Sequence, residues 1–154
     1  MKIRICRHGS GGVKICFGEI ITSRGKKCNE KNILSHDLSY NKLAAIADLF
    51  SQLNPYFISV DSLTLFPDTE LYQMVQQGLF VPAEEKERIR ELQILINNLN
   101  IRTHLFANTV SNFTPVTAYL PYDREKVTNE LQFVLDNTDE REMQEYRNNL
   151  KSLG

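Results

Sequence analysis

The chain has no tryptophan, and its 154 residues contain only three cysteines, three histidines, five prolines and seven glycines. An odd cysteine count, spread over Cys6, Cys16 and Cys28, gives no disulfide scaffold. So few glycines and prolines exclude a collagen-like or low-complexity chain. No apolar run reaches the roughly 20 residues that span a bilayer, and the first twelve residues lack the apolar core of a signal peptide. Charge of one sign is missing too: 18 Lys and Arg stand against 19 Asp and Glu, a net charge of −1. That balance removes the global argument for nucleic-acid binding, which rests on a basic surface displacing counterions. What remains is 42% hydrophobic and 24% charged, the composition of a single globular domain or domain fragment. A cytoplasmic location with no membrane contact is the expectation.

The organisation reads as three stretches: strands and a loop over 1–37, alternating helices and strands over 38–137, and a charged tail over 138–154. Lys2–Cys6 and Val13–Phe17 alternate polar and apolar residues. The cluster His8-Gly9-Ser10-Gly11-Gly12 between them is a turn. These strands form a hairpin, or Val13–Ile21 is a single strand behind a loose leader. Leu43, Ile46, Ala47, Phe50 and Leu53 repeat at helical spacing, and Asn54-Pro55 stops that helix. Tyr56–Leu63 is a strand. Asp68 is the expected N-cap of a helix carrying Leu71, Val75 and Leu79, with Gly78 loosening its end. Pro82 in a first turn with Glu84 and Glu85 starts the clearest helix, whose stripe is Ile89, Leu92, Leu95, Ile96 and Leu99. Ile101–Ala107 is a further strand. Asp123 caps a helix with Val127, Leu131, Val134 and Leu135, and Met143, Tyr146 and Leu150 make a weak stripe in the tail. The order predicts an α/β fold of about three to four mostly parallel strands with four to five helices.

Several chemistries fail on spacing. Gly18 and Gly25-Lys26-Lys27 do not make G-x-x-x-x-G-K-[ST], and no Ser or Thr follows to hold magnesium. Gly9-x-Gly11-Gly12 opens a strand rather than the helix of a dinucleotide site. Cys6, His8, Cys16, Cys28 and His36 are ligand types, but none pairs at the short interval of a zinc knuckle, so no metal site is expected. Arg7-His8-Gly9 after a strand resembles the opening of histidine phosphatases. There a neutral imidazole attacks phosphorus and a guanidinium neutralises the oxyanion, and His104 could stand as a second histidine. That resemblance implies a second arginine after the second strand, where Asp61–Tyr72 has none and instead carries Asp61, Asp68 and Glu70.

A longer resemblance runs from Ala47 to about Asn137. Leu53-Asn54-Pro55-Tyr56-Phe57-Ile58 and Leu63-Thr64-Leu65-Phe66-Pro67-Asp68-Thr69-Glu70-Leu71-Tyr72 are followed by Val75–Phe80 and by Asn97-Asn98-Leu99 at the end of a helix. Ala107-Asn108-Thr109-Val110-Ser111-Asn112-Phe113 and Leu120-Pro121-Tyr122-Asp123-Arg124-Glu125 complete the series. In this order the blocks resemble the C-terminal half of radical S-adenosylmethionine (SAM) enzymes of the Elongator/MiaB-like branch. The resemblance implies the C-terminal part of a partial (β/α) TIM-like barrel, with SAM and a [4Fe–4S] cluster as the family cofactors.

The departures from that pattern define the functional expectation. The family's CxxxCxxC loop is absent, since nine residues separate Cys6 from Cys16 and eleven separate Cys16 from Cys28. Asp68 replaces the turn glycine, Thr109 a histidine, and Ser59 and Asp61 stand where arginines are common. The segment that approaches SAM in relatives is here Thr22-Ser23-Arg24-Gly25. Ser23, Arg24, Gly25 and Ser62 are the only candidates left for a cofactor contact; no residue is expected to be catalytic. The chain reads as a truncated family member unable to cleave SAM alone, completed by an N-terminal half-barrel in trans or by self-association. The alternatives are the phosphatase using His8 and a binding module without chemistry.

Overall fold

The computed structural model describes residues 2–6, 12–16 and 40–150, with side chains from Leu43 onward. The fold is α/β. Five strands, β1 (Lys2–Cys6), β2 (Gly12–Cys16), β3 (Phe57–Asp61), β4 (Thr103–Ala107) and β5 (Val116–Leu120), form one sheet in the order β2-β1-β3-β4-β5. Five helices accompany them: α1 (Tyr40–Leu53), α2 (Glu70–Gln76), α3 (Glu85–Asn98), α4 (Arg124–Asn137) and α5 (Glu140–Asn148).

The strands are not mostly parallel, contrary to expectation, and there are five rather than three or four. Only β3–β4 is parallel, while β1–β2, β1–β3 and β4–β5 are antiparallel. Connection length explains two of these. A parallel return needs a crossover of a dozen or more residues; α2 and α3 supply one between β3 and β4. The links from β1 to β2 and from β4 to β5 are too short, so both are antiparallel returns. The N-terminal alternatives thus resolve to a hairpin, with Cys6 opposite Gly12 and Lys2 opposite Cys16. Strand β5 went unanticipated although Val116, Ala118 and Leu120 are buried and Thr117 and Tyr119 exposed, a plain period of two.

One face of the sheet carries the core. Ile58 and Val60 of β3, Leu105 and Ala107 of β4, and Val116, Ala118 and Leu120 of β5 pack against Ala47 and Phe50 of α1, Ile89, Leu92, Leu95 and Ile96 of α3, and Val127, Leu131 and Leu135 of α4. The stripes read for α1, α3 and α4 face inward here. Met143 of α5 is fully buried in the same core, so the charged tail contributes an anchor. Helix α2 buries nothing, and Leu79 beyond it is exposed.

Helix ends differ from expectation in their caps. Thr69, not Asp68, caps α2: its Oγ1 donates to Phe66 O at 2.7 Å and accepts from Tyr72 N at 3.3 Å. The Pro67-Asp68 turn places Thr69 at the last non-helical position, so Asp68 sits one residue early. Pro82 lies ahead of α3 rather than in its first turn, because Glu84 is the cap and forms a reciprocal box with Glu87. At α4 the Asp123 carboxylate turns away from the helix. Its Oδ2 accepts from Tyr119 N at 2.7 Å while Asp123 N donates to Tyr119 O at 3.1 Å. Helix α1 ends on Asn54 in the left-handed region (φ 43°), followed by Pro55.

The opposite face of β3, β4 and β5 is aromatic and only half-buried. His104 stacks on Tyr119 (ring centroids 4.7 Å) and on Phe106 (6.3 Å), and Tyr119 stacks on Tyr122 (5.3 Å). Tyr56 tilts against His104 and Phe57 meets Phe106 edge-on. None of the described helices contributes to this face.

Replacing Leu95 by Ala is expected to cost about 2–5 kcal/mol in urea unfolding, whereas Phe133→Ala, at 68% exposure, should change stability by less than about 0.5 kcal/mol. Equal effects would refute the placement of the core.

Candidate functional site at the carboxyl ends of β3 and β4

Ligands of open α/β sheets bind outside the carboxyl ends of parallel strands. Here β3 and β4 both end at one such edge, at Asp61 and Ala107, and the loops that follow bring polar side chains together. Asn112 is the centre. Its Nδ2 donates to Val60 O at 2.8 Å, and its Oδ1 accepts from both Ser62 N and Ser62 Oγ at 2.9 Å. One amide thereby ties the β4–β5 loop to the end of β3. Thr109 Oγ1 donates its single proton to Asp61 Oδ1 at 2.9 Å. Ser111 Oγ, 2.8 Å away, must therefore be the donor to Thr109. Thr109, standing where the family resemblance implies a histidine, acts as a hydroxyl bridge to a buried carboxylate.

Below this layer lies an ion cluster. Glu85, 3% exposed at the start of α3, receives both Nε and Nη2 of Arg147 from α5, and Arg88 Nε lies 3.3 Å from the same carboxylate. A carboxylate so buried needs such partners. Arg147 Nη2 also donates to Ser111 O at 2.7 Å, and Arg88 donates to Leu63 O and Ala83 O at 3.0 Å each. Burial, then the neighbouring Arg147 charge, lowers the Arg88 pKa, with Glu85 opposing; a guanidinium stays charged regardless. The amides of Glu85 and Lys86 are capped by the Glu140 carboxylate at 2.7 and 3.0 Å, so the positive end of α3 is already occupied.

The cavity between Val60, Ser62, Arg88, Asn112 and Thr114 has room for about one water molecule. Thr114 Oγ1 is buried there without a protein partner among the described residues. Ser62 is not an activated nucleophile, because its proton points at an amide oxygen that cannot remove it.

Of the candidates for cofactor contact, Ser62 is therefore engaged through both its donors, and Ser23, Arg24 and Gly25 lie outside the described residues. So do Arg7, His8, Gly9, Cys28 and His36. His104 stands mid-strand in the aromatic stack. The two described cysteines sit at opposite ends of the hairpin: Cys6 pairs with Gly12 and Cys16 with Lys2, their backbones roughly 13 Å apart along strands that rise about 3.3 Å per residue. Among the described residues no group of three or more His, Cys, Asp or Glu gathers as a metal site, and no helix is long and apolar enough to cross a membrane.

The partners of Glu85 were not legible in the sequence. Arg147 lies 62 residues away, and read locally Glu85 is a helix-dipole charge while Arg147 is one charge of the tail. Comparison with protein families, curated proteins and solved structures finds no match for this chain.

Asn112→Ala should destabilise the protein by about 1–3 kcal/mol, because Val60 O and Ser62 lose their partners together. Ser62→Ala should cost less, since Ser62 N keeps its bond. Thermal unfolding of both variants, with the reverse order as the refuting result, checks this.

Proposed function

We propose that this chain is the C-terminal half of a radical SAM-type (β/α) barrel that has lost the cluster loop, performs no SAM cleavage alone, and serves as a half completed in trans. Four spaced blocks in family order support the kinship. The succession of β3, the Phe66–Thr69 turn and α2 is compatible with the strand-turn-helix order of the resembled block and supports the reading. The antiparallel β1–β2, β1–β3 and β4–β5 pairings depart from a barrel repeat, so the kinship is proposed for the β3–α3–β4 unit above all.

The observation that carries this reading is the parallel β3–β4 pair covered by described helices on one face only. All-parallel sheets occur almost solely where both faces are covered; this sheet is mixed, and its parallel pair is the part that resembles a barrel unit. In a whole barrel the second face lines the interior, and here it carries the His104, Phe106 and Tyr119 rings. Reductive SAM cleavage draws its electron from a cluster, and the cysteine spacing of this chain lacks the CxxxCxxC loop of the resembled family. A cluster-bearing polypeptide must bring that chemistry.

Anaerobic reconstitution of the purified chain should yield no stoichiometric iron or sulfide and no cleavage of SAM on adding dithionite. Light scattering should show association that grows with concentration, replaced by a defined heteromer when a CxxxCxxC polypeptide from an adjacent reading frame is co-expressed. A brown, SAM-cleaving protein would overturn the loss of chemistry. A compact monomer at all concentrations would overturn the need for a partner.

A further inference from the structure

The site's two loops come from distant parts of the chain yet hang from one carboxylate. Glu85 holds Arg88, whose Nη1 fixes Leu63 O beside Ser62; Glu85 also holds Arg147, whose Nη2 fixes Ser111 O beside Asn112. Helix α5 supplies Arg147 and is held by three further contacts. Met143 is buried in the core, Glu140 caps α3, and Tyr146 donates its hydroxyl to Val110 O at 3.2 Å while meeting Phe113 edge-on. Both Phe113 and Val110 belong to the β4–β5 loop. Every described polar tie of α5 to the rest of the fold thus runs either to the start of α3 or to that loop.

From this we infer that α5 is a clamp on the carboxyl end of the sheet, with Glu85 and Arg147 as positioning residues that lock the 62–64 and 109–114 loops as one unit. The coupling follows from charge. Undocking α5 removes the fork from Glu85 and leaves a buried carboxylate with Arg88 alone, so Arg88 must shift toward it or the site must admit water. Either outcome slackens the bond from Arg88 to Leu63 O, although Arg147 itself never touches that loop. The Asn112–Ser62 bridge then joins two segments that have both lost their anchors. The clamp therefore sets the geometry of the Ser62–Asn112–Thr109–Asp61 cluster at the ends of β3 and β4. It stands whether or not the chain descends from a barrel.

Residue-level hydrogen exchange on the full chain tests it. In the wild type, the amides of Ser62, Asn112 and residues 143–147 should open together, sharing one dependence on low urea, while Leu105 and Val116 require global unfolding. Arg147→Lys keeps the charge but cannot fork a carboxylate and reach a carbonyl as well. It should speed exchange at both Ser62 and Asn112 by about tenfold or more and leave Leu105 and Val116 unchanged. Faster exchange at Asn112 with Ser62 unmoved would show a local contact and overturn the clamp. So would separate urea dependences for α5 and the loops in the wild type, a measurement that needs no variant to fold.

Discussion

Helix α3 is the element everything else is built against. Its stripe of Ile89, Leu92, Leu95 and Ile96 fills the space over β3, β4 and β5, and α1, α4 and α5 each pack on it. A buried Leu or Ile contributes about 1.5–3 kcal/mol, so four in one helix outweigh any polar contact in the molecule. The same burial creates the central electrostatic demand. To lie in that position α3 must start beneath the sheet's carboxyl edge, which takes Glu85 out of water. The Arg147 fork, the Arg88 pairing and the Glu140 cap all answer that demand, and the shape of the polar cluster follows from them.

How much of this the sequence discloses depends on the range of the interaction. Stripes of period 3.6 located α1, α3 and α4, because burial against one sheet face imposes that period directly. Strands β3 and β4 are legible as short runs rich in β-branched or aromatic residues that follow helices. Strand β5 carries an equally clear alternation, Val116 to Leu120, but is only five residues long and lies directly between two loop-like segments. Sheet direction was misjudged because alternating elements suggest parallel crossovers, and only the loop lengths around β2 and β5 contradict that. The cap at Thr69 shows that a one-residue register in a turn is settled by backbone geometry, which Asp68 and Thr69 satisfy equally well on paper. The Glu85–Arg147 pair and the Asn112 bridge join residues 50 or more positions apart, and nothing local marks them.

The two faces of the sheet divide the molecule's physics. One is sealed by aliphatic side chains and fixes the fold. The other presents stacked rings that are neither sealed nor fully wet, with Tyr119 39% and Tyr122 64% exposed. Large rings gain most when their remaining area is covered by an apolar layer, and this is the physical content of reading the chain as a half. The polar cluster, by contrast, is saturated: Ser62, Asn112, Thr109 and Asp61 satisfy one another and leave room for little more than water.

The hold of Asp123 on Tyr119 has a bearing on how copies of this protein meet. Among the described residues β5 ends the sheet, and an unprotected border offers its amide and carbonyl groups to any passing extended segment. At Tyr119 both groups are already engaged by Asp123, one through the carboxylate and one through the backbone. Lateral polymerisation, strand added to strand into a continuous ribbon, is therefore blocked at that residue.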